Sequence, residues 1–242
     1  MAHAVRTTAR AGALLGAAAV GAWAALVPRV LKWGASDDEV VRPMPGDQLV
    51  DNPMYVTTRA VTVAAPAAAV WPWLVQIGQN RGGFYSYDFF ENVFRLDIHN
   101  ADRVHEEWQD LRAGEDFVSL DPDGATKLTI AVMEPERAFV ILAGAPGEPP
   151  QEPGNFFRGE LAFSWGFYLE PLDERTTRLL IRARAAWADT TAAKLAKPVL
   201  LEPVHFLMEE RMLRGIRARA EASADRGRAA ADRAEAAASL PG

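Results

Sequence analysis

Two strictly alternating segments followed by one long amphipathic helix leave this chain few ways to fold. In residues 160–172, Leu161, Phe163, Trp165, Phe167 and Leu169 fall on one face, because strand side chains alternate with period two. In residues 177–187, Leu179, Ile181, Ala183, Ala185 and Trp187 do the same, with Arg178, Arg182 and Arg184 opposite. The pattern predicts an antiparallel sheet with one covered face and one face toward water. The cover is a C-terminal helix expected over 202–222. Its stripe is Val204, Met208, Met212 and Ile216 at i, i+4 spacing, flanked by Leu201, Leu207 and Leu213. Adaptable methionines against large aromatics suit a plain core and a cavity lining equally well.

Upstream, residues 55–64 alternate and are β-branched (Val56, Thr58, Val61, Val63), which predicts a strand. Ala65 and Pro66 open a short helix over 67–77, and Ser86 is a possible N-cap for a second over 86–94. Strands follow at 117–120, 127–133 and 138–143, separated by Asp121-Pro122-Asp123-Gly124 and Pro135-Glu136-Arg137. A Pro/Gly-rich loop covers 144–158, and Asp173 to Thr176 is a hairpin turn. The fold class is therefore α+β. Residues 33–54, with Pro43, Pro45 and Pro53, form a linker or extended arm, residues 55–222 the folded domain, and residues 223–242 a polar Ala-rich tail.

Residues 1–32 form a targeting or anchoring segment. Arg6 and Arg10 precede an uncharged run from Ala11 to Pro28, and Arg29 and Lys32 follow it. About 18–20 apolar residues span the hydrocarbon core, so the run is just long enough for one pass. Three readings stay open: a single-span anchor, a signal peptide cut near Ala22-Trp23-Ala24, and a peripheral Ala-rich helix. The anchor is the expectation, with a single-pass membrane location. The basic residues on its two sides nearly balance, so the side of the domain is open.

Charge and composition narrow the partners. The net charge of −6 argues against a nucleic-acid surface, which needs clustered Lys and Arg. With no cysteine there is no disulfide, thiolate metal site or Cys nucleophile. Gly78, Gly82 and Gly83 follow a helix rather than a strand, so they make a tight turn and not a dinucleotide loop. No P-loop or nucleophile elbow is present, and no cofactor is implied.

At this point a resemblance enters. Ala65-Pro66 with Val70-Trp71-Pro72-Trp73-Leu74 resembles the opening of the first helix in the SRPBCC superfamily, which includes START lipid-transfer domains and polyketide cyclases. The stretch from Gln76 to Asp88, with Gly83-Phe84-Tyr85-Ser86-Tyr87, is similar to a bacterial membrane-associated subgroup. So are the segments from Asp97 to Asp102 and from Glu202 to Phe206. The resemblance spans residues 33–222. It implies a helix-grip fold, an antiparallel curved sheet wrapped around a long C-terminal helix, here preceded by one N-terminal hydrophobic helix. It also implies an apolar pocket, and it does not supply one reaction.

The expected ligand is hydrophobic, a lipid, isoprenoid or polyketide, bound, sequestered or transferred at a membrane. Its candidate contacts are Tyr85, Tyr87, Phe163, Trp165, Phe167, Ile181, His205, Met208 and Met212. The alternative is a cyclase or aromatase-like enzyme using a pocket acid or base. His205 is the first candidate for that group, followed by Tyr85, Tyr87 and Arg182. No partner for His205 is visible along the chain, and this favours binding over catalysis. Glu202, Glu209 and Glu210 with Arg211 and Arg214 read as a solvated helix face. Asp97, His99, Asp102 and His105 lack metal-ligand spacing and read as a loop held by hydrogen bonds, so no metal is expected.

Overall fold

The computed structural model describes residues 18, 20–78, 81–86, 100–119, 127–143, 161–187 and 191–239. Within them, helix α1 covers residues 20–30, α2 Asp37–Val41, α3 Ala67–Val75 and α4 Thr191–Ala238. The strands are β1 Tyr55–Val63, β2 Asp116–Ser119, β3 Lys127–Glu134, β4 Ala138–Ala143, β5 Leu161–Asp173 and β6 Thr176–Trp187. They form one antiparallel sheet in the order β1-β6-β5-β4-β3-β2. Register shifts in β2, β3 and β5 each add local bend and twist. The helix expected over 86–94 lies outside the described residues beyond Ser86.

One sheet face carries the main core. Val61, Val63, Phe139, Ile141, Phe167, Leu169, Leu179 and Ile181 pack there with Val70, Trp73 and Leu74 of α3 and Met212, Leu213, Ile216 and Ala220 of α4. This is the α+β layout the resemblance implies, an antiparallel sheet with a long C-terminal helix on one face. Gly215 lets α4 approach the 81–86 turn closely, since a Cβ there would stand 2.6 Å from the Tyr85 carbonyl oxygen. Helix α4 is longer than the 202–222 expectation. It runs through Pro198 and Pro203, each of which deletes one backbone bond without ending the helix.

The rotation of α4 departs from the expected stripe. Val204 is 56% exposed and Leu207 40%, while Glu202 and Glu209 are buried. The inward stripe is Glu202, Glu209, Met212, Leu213, Ile216 and Ala220. Glu202 and Glu209 are therefore not part of a solvated face, because a buried cation on β1 requires them inside. Glu210 does make the expected surface pair, with Arg214.

The other sheet face is not open to water either. Arg182, expected on a solvent face, is only 3% exposed because the 34–54 arm lies over it. Its guanidinium donates to Thr58 Oγ1 (3.0 Å) and Asp47 Oδ2 (2.8 Å). It also donates to the carbonyls of Glu39, Val40 and Arg42 at the C-terminal end of α2. Arg178 donates to Glu39 from Nε (2.7 Å) and Nη2 (2.9 Å). Met44 joins Ala60, Ala138, Val140, Tyr168 and Leu180 in a second small core, and Tyr168 donates its hydroxyl to the Pro45 carbonyl (2.7 Å). Helix α2 itself starts with a capping box between Ser36 and Glu39.

The Glu39–Arg178 pair gives a pH-dependent clasp. Hydrogen bonding from Arg178 is the largest cause drawing the Glu39 carboxyl from the ordinary 4.5 to about 2. A carboxyl whose folded value lies below its unfolded one contributes fully above about pH 4.5, and that contribution is lost as pH falls toward about 2. Glu39→Gln should therefore flatten this stretch of the stability-versus-pH curve, followed by urea unfolding at each pH. An acid limb identical to that of the unsubstituted protein contradicts the assignment.

Candidate functional site

Strand β1 carries the residues that build the site. Tyr55, Thr57, Arg59, Val61 and Val63 alternate onto the core face, and the middle of that row is polar. Arg59 has no exposed surface. Its Nε donates to the Val30 carbonyl at the end of α1 (2.9 Å), Nη2 to Glu202 and Nη1 to Glu209. Every guanidinium nitrogen is thus engaged. Its planar face lies 5.3 Å from the Phe206 ring centroid, and Phe206 meets Trp33 edge-on at 6.2 Å.

The two carboxylates extend the network. Tyr55 donates its hydroxyl proton to Glu202, and its oxygen stands 2.9 Å from His205 Nδ1, which is also 3.4 Å from Arg59 Nη1. Trp165 on β5 donates Nε1–H to Glu209 Oε1 (2.8 Å). The other imidazole nitrogen, His205 Nε2, stands 3.6 Å from that same Oε1. Burial is the largest influence on Glu202 and pushes its carboxyl up, opposed by the His205 hydrogen bond. His205 is therefore not a lone histidine. It has Tyr55, Glu202 and Glu209 around it, and its side chain is 29% exposed.

Beside this network lies an aromatic surface. Across the sheet, Tyr55 pairs with Ala185 and Ala185 with Phe163, while Thr57 pairs with Ala183 and Ala183 with Trp165. The two alanines leave a low floor between the β1 polar row and the β5 aromatics. Phe163 and Trp165 are half-buried, with ring centroids 6.4 Å apart, and Phe84 stands 6.3 Å from Trp165. Thr57 is fully buried, and its hydroxyl has no hydrogen-bond partner.

Of the residues singled out by sequence, Phe163, Trp165, His205 and Met208 are the half-buried ones. Phe167, Ile181 and Met212 sit deeper in the core. Tyr85 is fully buried between Trp73 (5.9 Å) and the Arg219 guanidinium (4.8 Å), with Gln76 donating to its hydroxyl, and burial holds that hydroxyl above the usual phenol range. Tyr87, Asp97 and His99 lie outside the described residues. Arg182 is on the opposite sheet face and reaches no group of this network. His105 contacts Glu107 (3.1 Å) and stacks on Trp108 (4.1 Å). Among the described residues no cluster of three or more His, Cys, Asp or Glu could hold a metal ion. The residues sequence reasoning missed are Tyr55, Thr57, Arg59, Glu202 and Glu209. The available signal was an arginine in the core register of a strand.

No protein-family model and no curated protein matches this chain. Solved structures are similar only loosely. A hypothetical protein of Helicobacter pylori, jhp0584, is 12% identical and covers 73% of this chain and 94% of its own, with a TM-score of 0.45. Protein Ms6760 of Mycobacterium smegmatis is 16% identical over 71% of this chain and 90% of its own, at 0.38. CalU16 of Micromonospora echinospora is 18% identical over 70% and 86%, at 0.32.

Arg59→Met should leave Glu202 and Glu209 buried without their cation. The expected cost is about 3–5 kcal/mol of unfolding free energy. Adding Glu202→Gln and Glu209→Gln to Arg59→Met should recover much of it. A loss below about 1 kcal/mol for the single change, at unaltered denaturant sensitivity, would show that the cluster is not buried in solution.

Proposed function

We infer that this chain binds a hydrophobic small molecule, a lipid, isoprenoid or polyketide, between the sheet and α4, while its N-terminal segment holds it at a membrane. The observation that carries this reading is the aromatic surface of Phe84, Phe163 and Trp165, half-buried beside a polar end formed by His205 and Glu209. Ligand sites combine apolar walls with a few convergent polar groups in this way. Binding of fluorescent fatty alcohols and isoprenoids tests it. Trp165→Ala should weaken uptake at least about tenfold, since one large aromatic contact is worth well over 1.4 kcal/mol. Uptake equal to that of the unsubstituted protein removes Trp165 from the ligand wall.

A second reading, a cyclase-like enzyme, gains from one specific observation: His205 has the Tyr55 and Glu202 partners that an acid or base group needs. His205→Gln separates the two readings. Loss of one neutral hydrogen bond to a ligand weakens affinity by about 1–2 kcal/mol. Loss of a general base lowers turnover about 10²- to 10⁴-fold with binding nearly kept.

The membrane part rests on the apolar run from Ala11 to Pro28, only the latter half of which falls within the described residues. Among the described residues no helix is long and apolar enough to cross a membrane. Removing residues 1–19 shortens the run well below the roughly 18–20 residues a span needs, yet keeps the Val30 carbonyl on Arg59. The truncated chain should move from the membrane pellet to the supernatant after lysis. A full-length, uncleaved chain already in the supernatant ends the anchor reading.

A further inference from the structure

Helix α4 is inside out over one stretch. Glu202 and Glu209 are buried, while Pro203, Val204 and Leu207 face outward, the last two at 56% and 40% exposure. Val204 and Leu207 are three residues apart and so share one side of the helix. An amphipathic helix in water has the opposite polarity. Single exposed aliphatics are ordinary, but a turn with its carboxylates inward and its Val and Leu outward suits an apolar exterior.

The chain around this turn tells which exterior. Phe206 meets Trp33 edge-on at 6.2 Å, and the Arg214 guanidinium lies 5.8 Å from the Trp33 ring centroid. The exit from α1 is therefore packed beside the same stretch of α4. Helix α1 buries Val27 but exposes Val20 and Leu26. Residues 1–36 contain no Asp or Glu, and the exposed Arg29 and Lys32 follow the apolar run. Lys32 pairs with Asp37 (2.6 Å), whose helix α2 then turns over the opposite sheet face. On α4 the exposed Arg211 and Arg214 continue the side that carries Leu207, and Glu210 beside them is paired with Arg214. In a chain of net charge −6 this is a local excess of positive charge. Apolar side chains rimmed by Lys and Arg are complementary to a bilayer with anionic headgroups.

We propose that this outward face of α4, Val204 and Leu207 with Arg211 and Arg214, docks on an anionic membrane surface alongside the exit of α1. The aliphatic side chains enter the headgroup region, and Arg29, Lys32, Arg211 and Arg214 meet lipid phosphates. The contact fixes how the domain lies on the bilayer. It needs no membrane span, so it stands or falls apart from the anchor reading. Two aliphatic side chains and a basic rim do not hold a chain in the pellet through lysis, which leaves the truncation experiment a test of the anchor alone.

The chain has no cysteine, so Val204→Cys, Leu207→Cys and Leu172→Cys each create one site for the environment-sensitive fluorophore NBD. Leu172 is the control, 58% exposed but on the β5–β6 hairpin. Thr177 of that hairpin bonds Ala65, and Ala64 bonds Glu221, which lies about 25 Å along α4 from Val204. Each labelled full chain is reconstituted into vesicles of phosphatidylcholine, alone or with an equal part of phosphatidylglycerol, and quenching by brominated lipid is read. On the anionic vesicles the labels at Val204 and Leu207 should shift to the blue and be quenched, and the label at Leu172 should do neither. Arg211→Gln with Arg214→Gln should lower the docked-to-undocked ratio at least about tenfold, since each basic side chain near an anionic surface contributes roughly fivefold. Labels at Val204 and Leu207 as wet as the one at Leu172 overturn the docking face, whatever the anchor does. An equal signal on neutral vesicles, untouched by the arginine changes, overturns the anionic partner. A blue shift without vesicles that grows with protein concentration assigns the face to a second copy of the chain and overturns the membrane.

Discussion

A guanidinium with no exposed surface sits between β1 and α4, and the rest of the molecule is arranged around that fact. Removing an arginine from water costs several kcal/mol unless geometry and charge are both met. Here Glu202 and Glu209 meet the charge, and the Val30 carbonyl takes the remaining nitrogen. Replacing such a cluster by apolar residues is often no worse for stability, so its consequence lies elsewhere. It decides which way α4 turns. By apolar content alone, the face bearing Val204, Leu207 and Met208 would compete for the inside position. The carboxylates must face Arg59, so Val204 and Leu207 are turned outward. An ion cluster, not hydrophobic area, selects the rotation of the helix over its first buried turns.

This explains where sequence reading succeeded and where it failed. The alternation of β5 and β6 was legible because the core-facing positions 163, 165, 167, 169, 179, 181, 183 and 185 are all apolar, and period two admits one assignment. Farther along α4, Met212, Leu213 and Ile216 belong to the expected stripe and are buried. The error is confined to the helix's earlier turns, where hydrophobic periodicity favours Val204 and charge pairing favours Glu202 and Glu209. The information was present in β1: in Tyr55-Val56-Thr57-Thr58-Arg59, Arg59 shares the core register with Val61 and Val63. A charge in that register calls for opposite charges on whatever covers it. Which carboxylates answer depends on how α4 lies, and no local pattern specifies that.

The outer sheet face was misjudged for a related reason. The arginines at 178, 182 and 184 of β6 look like a solvated row, yet Leu180 lies between Arg178 and Arg182, and Val140 and Tyr168 share its face. Apolar residues on that scale need cover, and the arm supplies it with Met44 and Leu49. The arginines then act as fasteners: Arg178 and Arg182 reach over the arm to Glu39, Asp47 and the last carbonyls of α2. Long side chains with several donors can hold irregular backbone in this way, satisfying carbonyls that no sheet or helix partner reaches.

Both arrangements meet on β1, which is an edge strand. Its exposed edge would invite pairing with another chain, but Thr58 N donates to the Leu31 carbonyl (2.9 Å) and Ala60 N to that of Trp33 (3.1 Å). The same short segment therefore blunts the edge, delivers the Val30 carbonyl to Arg59 inside and leads into the arm outside. Arg59 in turn touches the two carboxylates that hold Tyr55, His205 and Trp165 in place. The chain emerging from α1 and the half-buried aromatic surface are joined through one side chain. Moving α1 away would strand an Arg59 donor in a dry site, where an unmet hydrogen bond to a charged group costs more than a neutral one. The position of α1 relative to the sheet is thus held by the same cluster that sets the chemistry of the site.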